Sequence, residues 1–538
     1  MATKPEASRP VAKAASKREG FSSRKVFLLA AIGSAVGLGN IWRFPYVTYE
    51  NGGGAFILPY IVALLTAGLP ILFFDYAIGH RGRASSPLSF RRLNRGTEFI
   101  GWWHVGINAV IAVYYAAIIA WSLRYTIFSF NQAWGDNPKA FFYGEFLQAS
   151  DNVALSFDFV PGILIPMALV WGVLLVVMAL GVQKGVGAAN IIFMPLLVIM
   201  FLGLVVFSLT LPGAMDGVNA LFTPNWSALG DGKVWVAAYG QIFFSLSIGF
   251  GIMVTYASYL KPKTDLTGSG AVVGFANSGF ELLAGIGVFA ALGFMAQAAG
   301  TSVDQVVSGG IGLAFIAFPT IISQAGAAGA LIGVLFFGSL LFAGFTSLIS
   351  ILEVLIACVQ DKFALSRVPA TIAVTLPLAV VSLLFMPTIS GIYVLDILDN
   401  FVNIFGILAV ALVGIIAVAY AVRALPVLAA HINRYSSIKV GRGWMILLAG
   451  VTPLVLGYNL FISIFGEKGA AVTPYGDYPA DMLNVFGWGM VIALPVLALI
   501  IAALPWSKNS RAAEQPPAPP VHGGKEDHQH LDSSVKGA

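Results

Sequence analysis

The sequence predicts an all-α integral membrane protein with about twelve transmembrane helices, and two observations support this fold class. Of its 538 residues, 58% are hydrophobic and only 10% are charged, and the mean hydropathy is +0.84. A soluble domain of this composition would expose far too much apolar surface to water. The apolar residues also form long unbroken runs rather than alternating patterns, which indicates helices that satisfy their backbone amides within each run.

Twelve segments come close to or exceed the length of about 20 residues that a helix needs to cross a bilayer. Their approximate limits are 26–48, 54–79, 98–130, 161–181, 188–211, 236–260, 270–298, 327–360, 368–387, 394–421, 441–464 and 483–505. The third and eighth segments look long, so we expect them to tilt or protrude. Residues 21–505 are therefore the expected transmembrane domain, between a polar tail at 1–20 and a proline-rich, disordered tail at 506–538.

Basic residues are distributed unevenly along the chain. Lysine and arginine precede the first segment and fill the loops after the second and tenth segments, whereas residues 299–326 contain neither. The positive-inside rule places those loops and both termini in the cytoplasm. The basic residues thus report topology in a lipid bilayer and do not indicate a nucleic-acid partner. No short apolar signal-peptide core precedes the first segment.

Two of the segments contain stretches that interrupt a helix. They are Gly33-Ser34-Ala35-Val36-Gly37-Leu38-Gly39-Asn40 in the first segment and Ser245-Leu246-Ser247-Ile248-Gly249-Phe250-Gly251 in the sixth. Each glycine weakens a helix by about 1 kcal/mol relative to alanine, and serine hydroxyls compete for the backbone. Glycine and serine are also common at close helix crossings, which is the structural alternative for either stretch alone.

Two such breaks, in the first and sixth of twelve segments, fit two five-helix halves that each open with a broken helix. The first repeat would cover about 26–211 and the second about 236–421, with extra helices at about 441–505. This arrangement is typical of secondary transporters with inverted repeats. Half-helix N-termini attract a carboxylate, and freed carbonyls together with Ser, Thr and Asn oxygens suit Na⁺ and an ammonium group.

Four stretches carry a resemblance to a known family. They are Gly33 to Pro45, Glu50-Asn51-Gly52-Gly53-Gly54-Ala55-Phe56, Gly240 to Ser247, and Ala343-Gly344-Phe345-Thr346-Ser347. Together they resemble the neurotransmitter:sodium symporters, in particular their bacterial amino-acid branch. The resemblance implies the leucine-transporter-type fold, a location in the bacterial cytoplasmic (inner) membrane, and import of an amino acid with two Na⁺ ions by alternating access.

The resemblance also implies two sodium sites. The first consists of the Ala35 carbonyl with Asn40, Ser245 and Asn277, and the substrate carboxylate completes it. The family often has threonine at the position of Ser245, so the hydroxyl is kept here and a methyl group is lost. The second site consists of the backbone carbonyls of Gly33, Val36 and Ala343 and the side-chain hydroxyls of Thr346 and Ser347. For those two hydroxyls the alternative is hydrogen bonding to the preceding helical turn.

A substrate pocket follows from the same resemblance. Its expected lining is Ser34, Ala35, Leu38, Gly39, Ile111, Tyr115, Phe244, Ser245, Ser247, Phe250, Ser347 and Ile351. Tyr115 resembles the tyrosine that binds the substrate carboxylate, and Phe244 joins it in an aromatic lid; without the resemblance, Tyr115 would be interpreted as a core tyrosine. The break from Gly33 to Gly39 contains no acidic residue, which favours an α-amino acid over a monoamine. The side-chain pocket is apolar and uncharged, which predicts a neutral, mainly hydrophobic substrate.

Charged residues within or near the segments resemble gates. Arg43 with Asp399 resembles an outer gate pair, and Arg18 with Asp361 resembles an inner pair, although a solvated charge is the alternative for the latter two. Arg43 also stands out on physics alone, because a charge near the middle of a span is unfavourable and usually functional. Gly185 and Pro195 resemble a motif that lets the inner end of the fifth helix unwind and admit water to the second sodium.

Glu281 lies four residues after Asn277, so both side chains face the same side of a helix. An acid in the apolar stretch 280–292 needs a cation or donor nearby; a carboxyl held in a structural hydrogen bond is the alternative. Chloride-dependent relatives resemble this sequence but have a small polar residue at this position. We therefore expect Glu281 to substitute for chloride, so that transport is chloride-independent. After sodium leaves, desolvation favours the protonated carboxyl, which allows proton antiport.

Other functional classes have less support in the sequence. A channel would need a continuous polar path, whereas the polar residues cluster at the middle of the membrane between apolar and aromatic residues. The six histidines do not have the spacing of metal ligands, and no arrangement of residues typical of nucleophilic catalysis is present. We therefore predict that the chain is not an enzyme. A phosphate-binding loop is absent, which argues against transport driven by ATP. A sensor that binds an amino acid without transporting it remains open at this stage.

Overall fold

The computed structural model describes residues 19–465 and 475–510. Within these ranges the secondary structure is helical, with two isolated β-bridges. Among the described residues, ten helices are long and apolar enough to cross a membrane, and the number is eleven if the bent first pair counts as one span. The all-α membrane fold class is therefore confirmed.

The helices of the first half are numbered α1 to α6 along the chain. They are α1 (Arg24–Ala35), α2 (Leu38–Glu50), α3 (Gly54–Gly82), α4 (Arg95–Phe128), α5 (Pro161–Ala179) and α6 (Val182–Ser208). The second half and the extra helices continue this numbering. They are α7 (Gly232–Ser245), α8 (Ile252–Ala257), α9 (Leu266–Ala299), α10 (Gly326–Phe363), α11 (Arg367–Phe385), α12 (Gly391–Ala421), α13 (Arg442–Phe465) and α14 (Ala480–Ala503). Shorter helices lie at Ser86–Leu93, Ala214–Phe222, Gly310–Gln324 and Leu425–Asn433.

The first and sixth predicted spans are the discontinuous ones. The α1 and α2 axes are bent by 52° at the break between them. The sixth span divides into α7, with 14 residues, and α8, with six. Neither piece is long enough to cross a membrane by itself. The twelve predicted spans therefore correspond to ten continuous helices of spanning length, or eleven when α1 and α2 are counted together.

Two long helices form the centre of the protein, and the last two lie at its edge. In the most apolar window of α10, 89% of the residues are buried within the protein, whereas the corresponding share is 22% in both α13 and α14. The third and eighth spans were predicted to be long, and this is confirmed: the corresponding helices α4 and α10 have 34 and 38 residues. The exposed faces of the edge helices are apolar, for example at Leu454 and Ile492, because lipid is their solvent.

The end of α14 and the start of the predicted C-terminal tail are packed against α4 and α10. The Trp506 indole donates a hydrogen bond of 2.8 Å to Glu98, and the Lys362 ammonium donates to the Ile501 and Leu504 carbonyls. Described structure therefore continues to Ser510, beyond the predicted boundary at residue 505. The rest of this tail, 511–538, and the first 18 residues lie outside the described residues.

Candidate functional site

The backbone leaves helical geometry between α1 and α2. Val36 caps α1 with ψ of 99°, and Gly37 precedes α2 in an extended conformation. The Asn40 side chain accepts a hydrogen bond of 2.9 Å from the Gly37 amide, so the start of α2 is capped by its own third residue. The carbonyls around residues 33–36 are thereby released from the regular ladder in the middle of the span.

The second break is formed by residues with positive φ. Ser247 has φ of +53°, and Gly249 and Gly251 have +82° and +70°. The Ser247 hydroxyl donates to the Ser34 carbonyl over 3.2 Å, so the two breaks are in direct contact. Asn108 from α4 donates to the freed Phe250 carbonyl over 2.6 Å and holds the second break from the other side.

A cavity of about 390 Å³ lies between the two breaks, α4, α10 and α12. The structure places all twelve residues of the expected substrate pocket on its wall. They are Ser34, Ala35, Leu38, Gly39, Ile111, Tyr115, Phe244, Ser245, Ser247, Phe250, Ser347 and Ile351. The Tyr115 hydroxyl and Ser347 Oγ both face Gly37, on which a methyl group would lie 3.4 and 3.1 Å from them.

The expected side chains of the first sodium site form one buried cluster beside this cavity. Asn40 donates to the Asn277 amide oxygen over 2.8 Å, and Asn277 donates to Ser245 Oγ over 3.1 Å. All three side chains are at most 2% exposed. Each amide group donates to the oxygen of the next side chain, and the oxygens keep further lone pairs that can bind a hard cation.

The expected residues of the second sodium site meet where α1 packs on α10. A methyl group on Gly33 would lie 3.3 Å from Thr346 Cβ. The Thr346 hydroxyl donates to the carbonyls of Phe342 and Ala343, at 3.1 and 3.0 Å, so it does hydrogen bond to the preceding turn. Ser347 Oγ is buried and interacts with the Tyr115 hydroxyl.

Glu281 is completely buried one turn from Asn277. Its carboxylate accepts a hydrogen bond of 2.6 Å from Gln241 and contacts the Tyr60 hydroxyl, which lies 2.8 Å from Ser278 Oγ. The Ser245 hydroxyl also interacts with this carboxylate. The acid is therefore joined to the first sodium cluster by a shared side chain.

The expected outer gate residues do not form a close pair. The Arg43 guanidinium lies 4.6 Å from the centre of the Phe244 ring. Asp399 accepts hydrogen bonds from Tyr114 and Asn403, over 2.6 and 2.8 Å. Among the described ion pairs, none joins Arg43 to Asp399 within 4.0 Å. The cation instead stacks on the aromatic lid.

The expected inner gate is described on one side alone. Asp361 is buried at the end of α10 and accepts a hydrogen bond of 2.7 Å from the Ser85 amide. Its expected partner, Arg18, lies outside the described residues. Phe21 closes this end of the molecule, with edge contacts to the rings of Tyr256 and Tyr259.

Comparison with known proteins identifies the family. Residues 18–137 and 134–509 match the model of the sodium:neurotransmitter symporter family, which covers nearly all of the transmembrane region. The chain belongs to this family. The resemblance that the sequence motifs indicated is thus confirmed, and the chain is a sodium-dependent symporter and not an enzyme.

Several relatives of this symporter align over most of its length. It is 41% identical to an uncharacterized sodium-dependent transporter of Methanocaldococcus jannaschii, over 90% of this chain and 97% of the relative. It is 31% identical to the sodium-dependent serotonin transporter of Drosophila melanogaster, over 89% and 82%. Among solved structures, MhsT in complex with L-phenylalanine matches with a TM-score of 0.68 and 32% identity, over 82% of this chain and 99% of that one.

Some residues of the symporter site were missed by sequence reasoning. Tyr114 and Asn403 position Asp399, and residues 309–312 line part of the cavity. The contact of Tyr114 with Asp399 has no signal in the sequence, because the two residues are 285 positions apart, whereas Asn403 follows Asp399 by one helical turn. Asn190 is different: it is the only polar side chain between residues 186 and 207, which is a signal that could have been used.

Proposed function

We propose that this symporter imports a neutral, mainly hydrophobic L-amino acid together with two sodium ions by alternating access. The observation that carries the proposal is the cavity between the two helix breaks. The charged residues that line the cavity, Asp396 and Asp399, both come from α12, whereas the twelve expected residues on its wall supply hydroxyls, backbone groups and apolar side chains and carry no charge. A charged substrate side chain would be buried there without a partner, which is strongly unfavourable.

The main-chain end of the substrate has suitable partners in this arrangement. A carboxylate can lie between the start of α2 and the Tyr115 hydroxyl, where the helix dipole and a hydrogen-bond donor both favour a negative charge. In that position it also approaches Asn40 and completes the first sodium site. The L-phenylalanine in the MhsT structure supports the same substrate class for this chain.

The gates and the acid complete the proposed cycle. Arg43 and Asp399 approach each other to close the outer side, and the Asp361 region opens the inner side, in the bacterial cytoplasmic membrane with both termini in the cytoplasm. Glu281 supplies the fixed negative charge next to the first sodium, so chloride is not needed. When sodium leaves to the cytoplasm, the buried carboxyl of Glu281 takes up a proton. The proton is released outside after the protein returns to its outward-facing conformation.

The first test of the substrate class is a thermal-shift screen of the twenty amino acids with the purified protein. We expect stabilisation by hydrophobic amino acids such as leucine, methionine and phenylalanine in Na⁺, and little stabilisation in K⁺, because bound ligand stabilises the folded state. Glutamate and lysine should have no effect. Preference for either, or for serotonin over every amino acid, would contradict the proposed pocket.

A second experiment separates a transporter from a sensor with the same pocket. Proteoliposomes loaded with an unlabelled amino acid that stabilises the protein should accumulate its radiolabelled form by counterflow in Na⁺. A sensor would bind the label without accumulating it, and that result would overturn the proposal of transport.

Gly39→Ala should strongly weaken substrate binding. A methyl group on Gly39 would lie 2.0 Å from Cε1 of Phe244, so the lid ring has to leave its place over the cavity. Loss of this lid packing should raise the dissociation constant of L-phenylalanine roughly tenfold. The matched control is Gly240→Ala in α7, where a methyl group meets no atom within 4 Å. Equal binding by the two variants would show that Phe244 does not close over the substrate.

A further inference from the structure

Asn190 is a completely buried amide in α6, in a stretch whose other side chains are apolar. Its Nδ2 donates a hydrogen bond of 2.9 Å to the Val186 carbonyl. Its Oδ1 has no hydrogen-bond partner among the residues that the structure describes. A buried acceptor without a donor is destabilising, so this oxygen calls for an explanation.

The position of the oxygen provides one. A methyl group on Gly33 would lie 2.5 Å from Asn190 Oδ1 and 3.3 Å from Thr346 Cβ, so the amide oxygen points to the contact between the α1 break and α10. These are two of the residues proposed for the second sodium site. Ser347, which belongs to the same proposed site, follows Thr346 on α10 and is also buried.

The other end of the amide is attached to a π-helical turn. Residues Val182–Gly187 form this turn at the start of α6, and it is one of eight such turns among the described residues. Within it, Gly185 packs so closely on α5 that a methyl group would lie 2.0 Å from the Val177 carbonyl oxygen. The Asn190 amide group thus holds the last part of this turn through Val186.

We propose that Asn190 adds its Oδ1 as a ligand of the second sodium ion and, through Nδ2, couples the ion to the order of the turn at Val182–Gly187. This inference rests on the proposed function, because it requires sodium between Gly33 and Thr346. A sodium ion bound to Oδ1 restricts rotation of the Asn190 amide group and so stabilises its hydrogen bond to the Val186 carbonyl. Departure of the ion removes that constraint from the turn.

The test uses the purified full-length protein without amino acid. Hydrogen–deuterium exchange of peptides that cover 182–187 is measured across a sodium titration at constant ionic strength, with K⁺ as the balancing cation. This local readout reports the second site separately from the cluster of Asn40 and Asn277. In the wild type, sodium should slow exchange in these peptides, because binding to the folded form suppresses local opening.

Two variants divide the proposal into its parts. Asn190→Ala removes both atoms, and it should raise the sodium concentration for half-maximal protection at least about fivefold. Asn190→Asp keeps an oxygen ligand but lacks the donor to Val186, so ²²Na⁺ binding should persist while protection of the turn is lost. The control is Ser208→Ala in the same helix, where a buried hydroxyl without a partner in the described structure is removed; it should match the wild type.

The outcomes distinguish the inference from the function on which it rests. Unchanged sodium protection in Asn190→Ala, with normal protection in the wild type, would overturn the inference alone. Absence of any sodium binding in the wild type would overturn the proposed sodium sites as well. If Asn190→Ala does not yield a monodisperse protein, Asn190→Asp decides the coupling, since normal protection of the turn in that variant contradicts it.

Discussion

Substrate binding to Asn277→Ala should require a much higher sodium concentration than binding to the wild type, and Asn40→Ala should behave in the same way. The two amides and Ser245 form one buried chain of hydrogen bonds beside the cavity. Removal of either amide withdraws one oxygen from the proposed first sodium site and leaves its neighbours unpaired. Such losses typically amount to about 1–3 kcal/mol, so we expect a rise of roughly tenfold or more in half-maximal sodium.

The same experiment tests the coupling between sodium and substrate. The substrate carboxylate is proposed to complete the sodium site, and such linkage is reciprocal. The affinity for L-phenylalanine, measured in saturating sodium, should therefore be partly restored in both variants. Equally tight binding of the substrate in K⁺ and in Na⁺ by the wild type would refute the coupling.

The control for these variants is Asn459→Ala in α13. Asn459 is also a buried asparagine, and neither of its side-chain polar atoms has a hydrogen-bond partner in the described ranges. It lies in one of the two edge helices and does not line the cavity. Its loss should leave the sodium dependence unchanged, which separates removal of a sodium ligand from general loss of a buried amide.

The fold was largely predictable, because each helix must satisfy its own backbone in lipid and therefore leaves a long apolar run in the sequence. The breaks were visible as glycines at residues 33–39 and 249–251. The detailed geometry of the breaks was not predictable. Ser247 adopts a positive φ, which residues other than glycine rarely do, and its hydroxyl donates a hydrogen bond to the distant Ser34 carbonyl. The short α8, of six residues, likewise follows from the position of that turn.

The cavity lining was predictable for a different reason, since the family resemblance placed residues from helices far apart in the sequence on one wall. Physics alone would have selected few of them, because Ile111 or Ile351 is indistinguishable from a core residue. Contacts between distant parts of the chain were missed. Tyr114 of α4 donates to Asp399 of α12 across 285 positions of the chain, and no local pattern reveals that contact.

Glu281→Ser should convert chloride-independent transport into transport that chloride stimulates. The wild-type carboxylate fills a fully buried position and accepts from Gln241 and from Tyr60, whose hydroxyl also contacts Ser278. Serine would vacate the space of the carboxylate and leave a ring of donors with no negative charge beside the proposed sodium. An anion bound there restores the missing charge, and without one the sodium site loses much of its electrostatic stabilisation.

The measurement is uptake of labelled L-phenylalanine into proteoliposomes, in sodium gluconate and in sodium chloride. The wild type should be indifferent to the anion, whereas the variant should be nearly inactive in gluconate and regain uptake in chloride. Glu281→Gln is the matched control, because it removes the charge but fills the space, so chloride should not rescue it. A wild type that stops without chloride, or a serine variant that transports normally without any small anion, would show that Glu281 has only a structural role.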